Sequence, residues 1–236
     1  MTGVDKLKSL LKRTKKTSAD KLKKPPYLEV AFDIPDWRRV EGVVRALPDH
    51  AAVIIEAGTP LIKRYGVEVC QKIHYLKPDA VVLADLKTIS YGKREAMMAG
   101  EATADVASFA GVGPLETQEE FIEACREAGV LALLDTINLH NPLEVLNKLK
   151  VKPDVVEIHR AIDLELTDAA HQWGNIPEIK KAINGGPVAV AGGIRIPKVK
   201  EALAAGADIL VVGRAITVAK DVNSAAKAFL REMGVK

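Results

Sequence analysis

Aromatic residues and cysteines are scarce in this sequence of 236 residues: Phe, Trp and Tyr together make up 4% of it, and there are two cysteines. A core must therefore be built from Val, Ile, Leu and Ala. Cys70 and Cys125 lack the spacing of metal ligands, which excludes a zinc ribbon or disulfide scaffold and indicates a reducing, cytoplasmic compartment. No apolar run approaches the roughly 20 residues of a membrane span.

Basic side chains are concentrated at the amino terminus. The formal net charge is +3, but residues 1–24 carry nine Lys or Arg and two Asp, so the remainder holds 25 basic and 29 acidic residues. We expect residues 1–26 to form a basic extension that contacts nucleic acid, a membrane surface or an acidic partner, or that forms a solvated helix. No continuous apolar segment follows these charges, so we expect no secretory signal. The acidic remainder favours a cation and an anionic small molecule over nucleic acid.

Short runs rich in β-branched residues alternate with helical stretches after Pro26. The predicted strands are 27–33, 51–56, 80–85, 104–109, 130–135, 155–159, 187–191 and 209–212. Most are apolar on both faces, as in a parallel sheet that is buried on both sides. Eight strands alternating with helices predict a (β/α)8 barrel over residues 27–236. A doubly wound sheet is the alternative, but the Gly-rich turn typical of its first strand is absent after Phe32.

An acidic residue recurs just before several of these runs. Asp79, Asp105, Asp154 and Asp208 each follow Pro or Ala and precede an apolar segment. This repetition is typical of short turns that lead from a helix into a strand, and it supports the count of strands.

Ionisable residues lie at the carboxyl ends of five predicted strands, where barrel enzymes place their active sites. They are Asp33, Glu56, Asp85 with Lys87, Asp135, and His159. Asp85 and Lys87 are two residues apart, so an extended strand would point both to one face. The carboxylate would keep Lys87 cationic, and the pair either takes part in catalysis or is an ion pair that closes the barrel mouth.

Three of these residues suggest specific chemistry. Glu56 and Asp85 come from adjacent strands and together could bind Mg²⁺, which prefers carboxylate, water and substrate oxygens. Alternatively, Glu56 caps the following helix. His159 beside carboxylates is suited to general acid/base catalysis near neutral pH, unless it is a buried structural histidine.

Glycines follow the last two predicted strands. Gly192 and Gly193 come after the seventh, and Gly213 precedes Arg214 after the eighth. Glycines at these positions let backbone N–H groups approach an anion, and barrels often bind phosphate there. Arg214 would add a charge-assisted hydrogen bond. We therefore expect a phosphorylated small molecule as the ligand.

Taken together, these segments resemble the orotidine 5′-phosphate decarboxylase superfamily from about residue 27 to residue 230. The matching segments are Asp33, Ile55-Glu56-Ala57-Gly58-Thr59-Pro60, Ala84-Asp85-Leu86-Lys87-Thr88, Glu157-Ile158-His159-Arg160, Val190-Ala191-Gly192-Gly193-Ile194 and Val212-Gly213-Arg214-Ala215-Ile216-Thr217. Within the superfamily the chain looks most like the branch of 3-hexulose-6-phosphate synthase and 3-keto-L-gulonate-6-phosphate decarboxylase.

The resemblance implies a homodimeric barrel that acts on a sugar phosphate through an enediolate. It implies Mg²⁺ bound by Glu56 and Asp85, and catalytic roles for Asp33, Asp85, Lys87 and His159. Lys87 would stabilise the enediolate oxygens and His159 would transfer a proton. Substrate and phosphate would contact Asp135, Gly192, Gly193, Gly213 and Arg214.

The third residue after the histidine distinguishes the two branches. The decarboxylases carry a second arginine three residues after the histidine, and here that position is Ile162. The resemblance therefore favours the synthase, an aldehyde-lyase that joins formaldehyde and ribulose 5-phosphate or catalyses the reverse. The alternatives are a decarboxylase of keto-acid sugar phosphates and a non-catalytic barrel that binds a phosphorylated ligand.

The chain departs from the family pattern at Ser90. The superfamily motif reads Asp-x-Lys-x-x-Asp, and its last carboxylate reaches the partner subunit's lysine. Here the segment is Asp85-Leu86-Lys87-Thr88-Ile89-Ser90. Ser90 lacks that charge, so Lys87 is expected to lose one orienting partner.

Overall fold

Eight parallel strands close into a barrel in the computed structural model, which describes residues 22–160 and 173–235. The strands are β1 (Tyr27–Phe32), β2 (Val53–Ala57), β3 (Val81–Thr88), β4 (Val106–Ala110), β5 (Leu131–Asp135), β6 (Val155–His159), β7 (Val188–Ala191) and β8 (Ile209–Val212). Each strand pairs with the next, and β1 pairs with β8, which brings Val30 opposite Val212. The predicted (β/α)8 barrel is confirmed.

Helices lie between the strands and cover the outside of the barrel. They are α1 (Trp37–Ala46), α2 (Thr59–Tyr65), α3 (Val69–Leu76), α4 (Gly92–Glu101), α5 (Leu115–Ala128), α6 (Pro142–Lys148), α7 (Ile176–Ala182), α8 (Val199–Ala204), α9 (Arg214–Thr217) and α10 (Val222–Glu232), with a short 3₁₀ helix at Ile196–Lys198. The strands bury both faces between these helices and the barrel interior, which is why they are apolar in sequence.

One strand differs from its prediction in a way that matters for the site. β3 continues three residues beyond Asp85 to Thr88, and its register with β4 shifts between Ala84 and Thr88. Lys87 has a positive φ of 47° within this irregular segment. Asp85 and Lys87 are therefore not simply two residues of one regular strand, since the bulge redirects the backbone at Lys87.

Three of the four recurring aspartates join neighbouring strands at their amino ends. Asp105, Asp154 and Asp208 each accept a hydrogen bond at 2.9 Å, from the backbone N–H of Val82, Ala132 and Val188 respectively. Each aspartate also donates its own N–H to the carbonyl of the same residue. These paired bonds connect β3 with β4, β5 with β6, and β7 with β8. Asp79 is exposed ahead of β3.

The remaining sequence expectations concern the termini and the cysteines. Most of the predicted basic extension, residues 1–26, lies outside the described residues. None of the helices in residues 22–160 and 173–235 is long and apolar enough to cross a membrane. Cys70 and Cys125 are both free and buried.

We predict that Asp105→Ala destabilises the fold. Asp105 Oδ2 accepts from the Val82 N–H at 2.9 Å and contacts His74 Nε2 at 3.2 Å, and both partners are buried. Leaving buried groups without an acceptor costs about 1–3 kcal/mol each. The free energy of unfolding, measured in urea, should therefore fall by at least about 1–3 kcal/mol, the cost for one such group. Glu127→Ala on the exposed face of α5 is the control, and an equal loss in both variants would contradict the role of Asp105.

Candidate active site

A lysine and two aspartates form the centre of the barrel mouth. Lys87 Nζ lies 2.9 and 2.8 Å from the two carboxylate oxygens of Asp85, and 2.8 Å from Oδ2 of Asp135. Burial alone would lower the pKa of Lys87, but the charges of Asp85 and then Asp135 outweigh this effect and raise it. The predicted Asp85–Lys87 pair is present, and Lys87 also connects β3 with β5.

Two hydroxyl groups, one from the start of a helix and one from a neighbouring strand, fix the Asp85 carboxylate. Thr59, at the start of α2, donates its hydroxyl to Asp85 Oδ2 at 2.6 Å. Ser108, fully buried on β4, donates to Asp85 Oδ1 at 2.7 Å and accepts from the Lys87 backbone N–H at 3.0 Å. Ser108 thus supports both the carboxylate and the bulged backbone at Lys87.

His159 adjoins this centre from the end of β6. Its Nδ1 lies 3.1 Å from both Asp135 oxygens and 3.2 Å from Oε1 of Glu157. Burial alone would lower the pKa of His159, but the charges of Glu157 and Asp135 raise it to about 9. Burial would likewise raise the pKa of Asp135, yet His159 and Lys87 lower it to about 2. The site therefore rests with an imidazolium beside an ionised Asp135.

Two buried glutamates of the barrel interior were not predicted from the sequence. Glu29 on β1 and Glu157 on β6 are 0% and 5% exposed. Burial, and then the charge of Glu157, raise the pKa of Glu29 to about 8. Burial raises the pKa of Glu157 to about 7, although the charge of His159 opposes this. Each sits an even number of residues before a predicted site residue, Asp33 or His159, so side-chain alternation along the strand would have found them.

Asp33 and Glu56 occupy different environments. Asp33 is exposed just beyond β1, and crowding by surrounding protein atoms and the charge of Asp85 raise its pKa. Glu56 is 6% exposed within β2, and its pKa is raised by burial and by Glu29. The helix that follows it begins after Gly58 without a side-chain cap, so Glu56 does not serve as a helix cap.

The residues present fit the magnesium ion that the resemblance implies. Glu56 Oε2 is buried and meets no hydrogen-bond partner within the described part of the chain. Asp85 is held in a fixed orientation by Thr59 and Ser108, as a ligand should be. Two carboxylates are a usual protein contribution to Mg²⁺, with water and substrate oxygens completing the shell.

A second acidic group, formed by Asp135 and Glu157 beside His159, is better suited to holding protons than a metal ion. Asp135, Glu157 and His159 are the one set of three possible metal ligands found in residues 22–160 and 173–235, with ligand atoms within 4.8 Å of one another. The Lys87 ammonium and the protonated His159 already contact these carboxylates. Their positive charges oppose a metal ion here.

The predicted phosphate-binding residues lie at the carboxyl ends of two neighbouring strands. Gly192 and Gly193 follow β7 with φ values of 99° and 72°, and a side chain at Gly192 would overlap the backbone of Arg160. Gly213 and the exposed Arg214 follow β8, which pairs with β7. Their role in phosphate binding stays a prediction.

Ser90 lies apart from the centre, in the exposed turn between β3 and α4. Its neighbour Tyr91 has a φ of 57° and is 75% exposed. The expected loss of an orienting partner for Lys87 is offset within the same chain, because both Asp85 and Asp135 contact its ammonium group.

We predict that Ser108→Ala destabilises the bulge at Lys87. The variant removes the acceptor for the Lys87 N–H and one donor to the buried Asp85, so the free energy of unfolding should fall by about 1–3 kcal/mol. Ser108→Thr keeps the hydroxyl and serves as the matched control. Equal denaturation midpoints for the alanine variant and the unchanged protein would contradict this role.

Comparison with known proteins identifies relatives along most of the chain. "Bifunctional enzyme Fae/Hps" of Methanocella arvoryzae is 51% identical over 210 residues, which is 88% of this chain and 53% of that protein. The protein of the same name from Methanosarcina acetivorans is 51% identical over 209 residues, 89% of this chain and 53% of its own. The chain thus spans about half the length of these relatives.

Solved structures and a family model match the same region. A 3-hexulose-6-phosphate synthase from Salmonella typhimurium superimposes with a TM-score of 0.80 at 28% identity, covering 88% of this chain and 98% of that one. KGPDC from Streptococcus mutans, at 22% identity and a TM-score of 0.76, shares the fold over 89% of this chain and 98% of its own. Residues 26–229 match the family model itself. The chain therefore belongs to the orotidine 5′-phosphate decarboxylase / HUMPS family.

Proposed function

We propose that this protein is an aldehyde-lyase of the 3-hexulose-6-phosphate synthase type, which joins formaldehyde to ribulose 5-phosphate or catalyses the reverse. The observation that carries the proposal is the Lys87 ammonium held between Asp85 and Asp135, with His159 on the same aspartate. The relatives named Fae/Hps and the similar synthase structure support this choice of reaction.

In the condensing direction, a proton leaves C1 of ribulose 5-phosphate and an enediolate forms. C1 of the enediolate then attacks the carbonyl carbon of formaldehyde, and the electron pair of that C=O bond moves to oxygen. The resting imidazolium of His159 must first release a proton to solvent. The neutral ring then takes the proton from C1 and returns it to the new alkoxide, so one side chain serves as base and then as acid. The Lys87 ammonium, fixed beside the developing oxyanion, supplies electrostatic stabilisation.

The other site residues bind and orient the substrate in this proposal. Glu56 and Asp85 would hold Mg²⁺, which supplies further stabilisation of enediolate oxygens when bound. Asp33, exposed at the same mouth, would contact substrate hydroxyl groups. Gly192, Gly193, Gly213 and Arg214 would bind the phosphate through backbone N–H groups and a guanidinium.

We also propose that the protein forms a homodimer in a reducing, cytoplasmic compartment. Exposed apolar side chains lie in the turns after β3 and β4 and on α4: Ile89, Tyr91, Val112 and Met98 are 43–75% exposed. A group of exposed apolar residues of this kind is typical of a protein interface. The two free, buried cysteines are consistent with reducing conditions.

Lys87→Ala should abolish most of the activity. Removing one group that stabilises an oxyanion typically lowers kcat about 100- to 1,000-fold. Formaldehyde consumption should be followed with ribulose 5-phosphate and Mg²⁺, and Lys63→Ala on the exposed surface of α2 is the matched control. If the unchanged protein consumes no more formaldehyde than Lys87→Ala, the proposed reaction is wrong. Release of carbon dioxide from keto-acid sugar phosphates would instead identify a decarboxylase.

Glu56→Gln should weaken divalent-cation binding in the absence of substrate. The variant keeps the size of the side chain but removes the charge of a ligand, and we expect at least a tenfold loss of affinity. Manganese binding, followed by electron paramagnetic resonance after treatment with a chelator, gives this affinity directly. Glu127→Gln on α5 controls for the loss of one charge. Equal affinities for all three proteins would rule out Glu56 as a ligand.

A further inference from the structure

Glu157 contacts the proton-transferring histidine directly but has no part in the chemistry above. It lies on β6 two residues before His159, so the two side chains enter the barrel from the same face of one strand. Glu157 Oε1 is 3.2 Å from His159 Nδ1, and the Glu157 side chain is 6% exposed.

A carboxyl group at this position is unfavourable for folding unless a partner offsets the cost of burying it. The neighbouring residues in register are Asp135 on β5 and Ala189 on β7, so Glu157 lies beside another carboxylate. Burying a second negative charge next to the first is costly. An apolar residue, such as Val155 two positions earlier on the strand, would avoid that cost. The partner that offsets it is the His159 ring.

Asp135 is shared between His159 and Lys87. Its Oδ2 lies 2.8 Å from Lys87 Nζ and 3.1 Å from His159 Nδ1. Glu157 has no contact with Lys87 among its hydrogen bonds and ion pairs in residues 22–160 and 173–235, so the ion pair it makes there is with His159.

We propose that Glu157 is a positioning residue for His159: its carboxylate, 3.2 Å from Nδ1, supports the hydrogen bonds between Nδ1 and Asp135, so that Nε2 is the nitrogen that exchanges a proton with the substrate. The role in catalysis rests on the proposed function, whereas the effect on the ring does not. Orientation of a histidine by a carboxylate at its second nitrogen is a general way to fix its tautomer.

The charges around His159 determine the expected direction of the effect. The ionisable groups that face it are Glu157 on β6, Asp135 on β5, Lys87 on β3 and Asp33 after β1. β7, which also packs against β6, consists of Val and Ala only. Glu157→Gln removes one negative charge and leaves the others, so the imidazolium becomes less stable and the pKa of His159 falls.

The test is an NMR titration of protein with ¹⁵N-labelled histidine, without substrate, with His159→Gln used to assign the signal. In Glu157→Gln we expect the pKa of His159 to fall from about 9 by about one unit or more, and a smaller share of the neutral ring to carry its proton on Nδ1. Glu29→Gln, another buried glutamate of the interior, is the matched control and should cause the smaller change.

Kinetics give a second readout that a purely structural role would not move. For the condensing reaction, the rise of kcat/KM with pH should shift to lower pH by the same amount as the His159 pKa. The KM for ribulose 5-phosphate at high pH should stay within about twofold. Glu157→Asp keeps the charge on a shorter side chain, so its His159 pKa should lie between those of Glu157→Gln and the unchanged protein.

The outcomes separate the two proposals. An unchanged His159 titration in a folded Glu157→Gln protein overturns the positioning role. If Glu157→Gln does not fold, Glu157→Asp decides, because its shorter side chain moves the carboxylate away from His159. A His159 pKa and tautomer equal to those of the unchanged protein would then overturn the role as well. A shifted His159 titration in Glu157→Gln supports positioning, and if the unchanged protein consumes no formaldehyde, the proposed function is refuted while the positioning role stands.

Discussion

The Lys87 ammonium between Asp85 and Asp135 is the interaction on which the rest of the site depends. The barrel interior holds five carboxyl groups, each at most 6% exposed: Glu29, Glu56, Asp85, Asp135 and Glu157. Only Lys87 and His159 oppose them among the described interior residues. Removing one partner of a buried ion pair typically costs about 3–5 kcal/mol. Lys87 therefore makes it feasible to concentrate carboxylates here, and that concentration prepares the mouth for a cation and for proton transfer.

The sequence was sufficient to predict the barrel and most of its mouth. Eight apolar runs, each followed by helical periodicity, leave few alternatives, and the observed strands begin and end within three residues of their predicted bounds. Because parallel strands of a barrel all end at one rim, Asp85, Lys87, Asp135 and His159 could be grouped without coordinates. Asp33 and Glu56 reach the same rim, but their chemistry depends on exposure, which the strand pattern does not specify.

What the sequence did not predict depends on contacts between distant residues. The positive φ of Lys87 is supported by the Ser108 hydroxyl from another strand, and no local pattern around Lys87 indicates that bond. Glu29 and Glu157 lie inside apolar runs, before the ends of β1 and β6, so the positions of the strand ends do not indicate them. An acidic residue at an inward-facing position of a buried strand is costly, and that cost is itself a signal of function.

Stability and chemistry occupy opposite ends of this barrel, which explains how Ser90 can differ from the family motif. The aspartates that join strand pairs lie at the amino ends, while the ammonium, imidazole and carboxylates lie at the carboxyl ends. Ser90 belongs to neither set, because it is in an exposed turn. Lys87 takes two carboxylates from its own chain, Asp85 and Asp135, so its charge and orientation do not require a third from a partner. Within one chain, the missing carboxylate at position 90 thus alters an exposed turn and leaves the contacts of Lys87 with Asp85 and Asp135 in place.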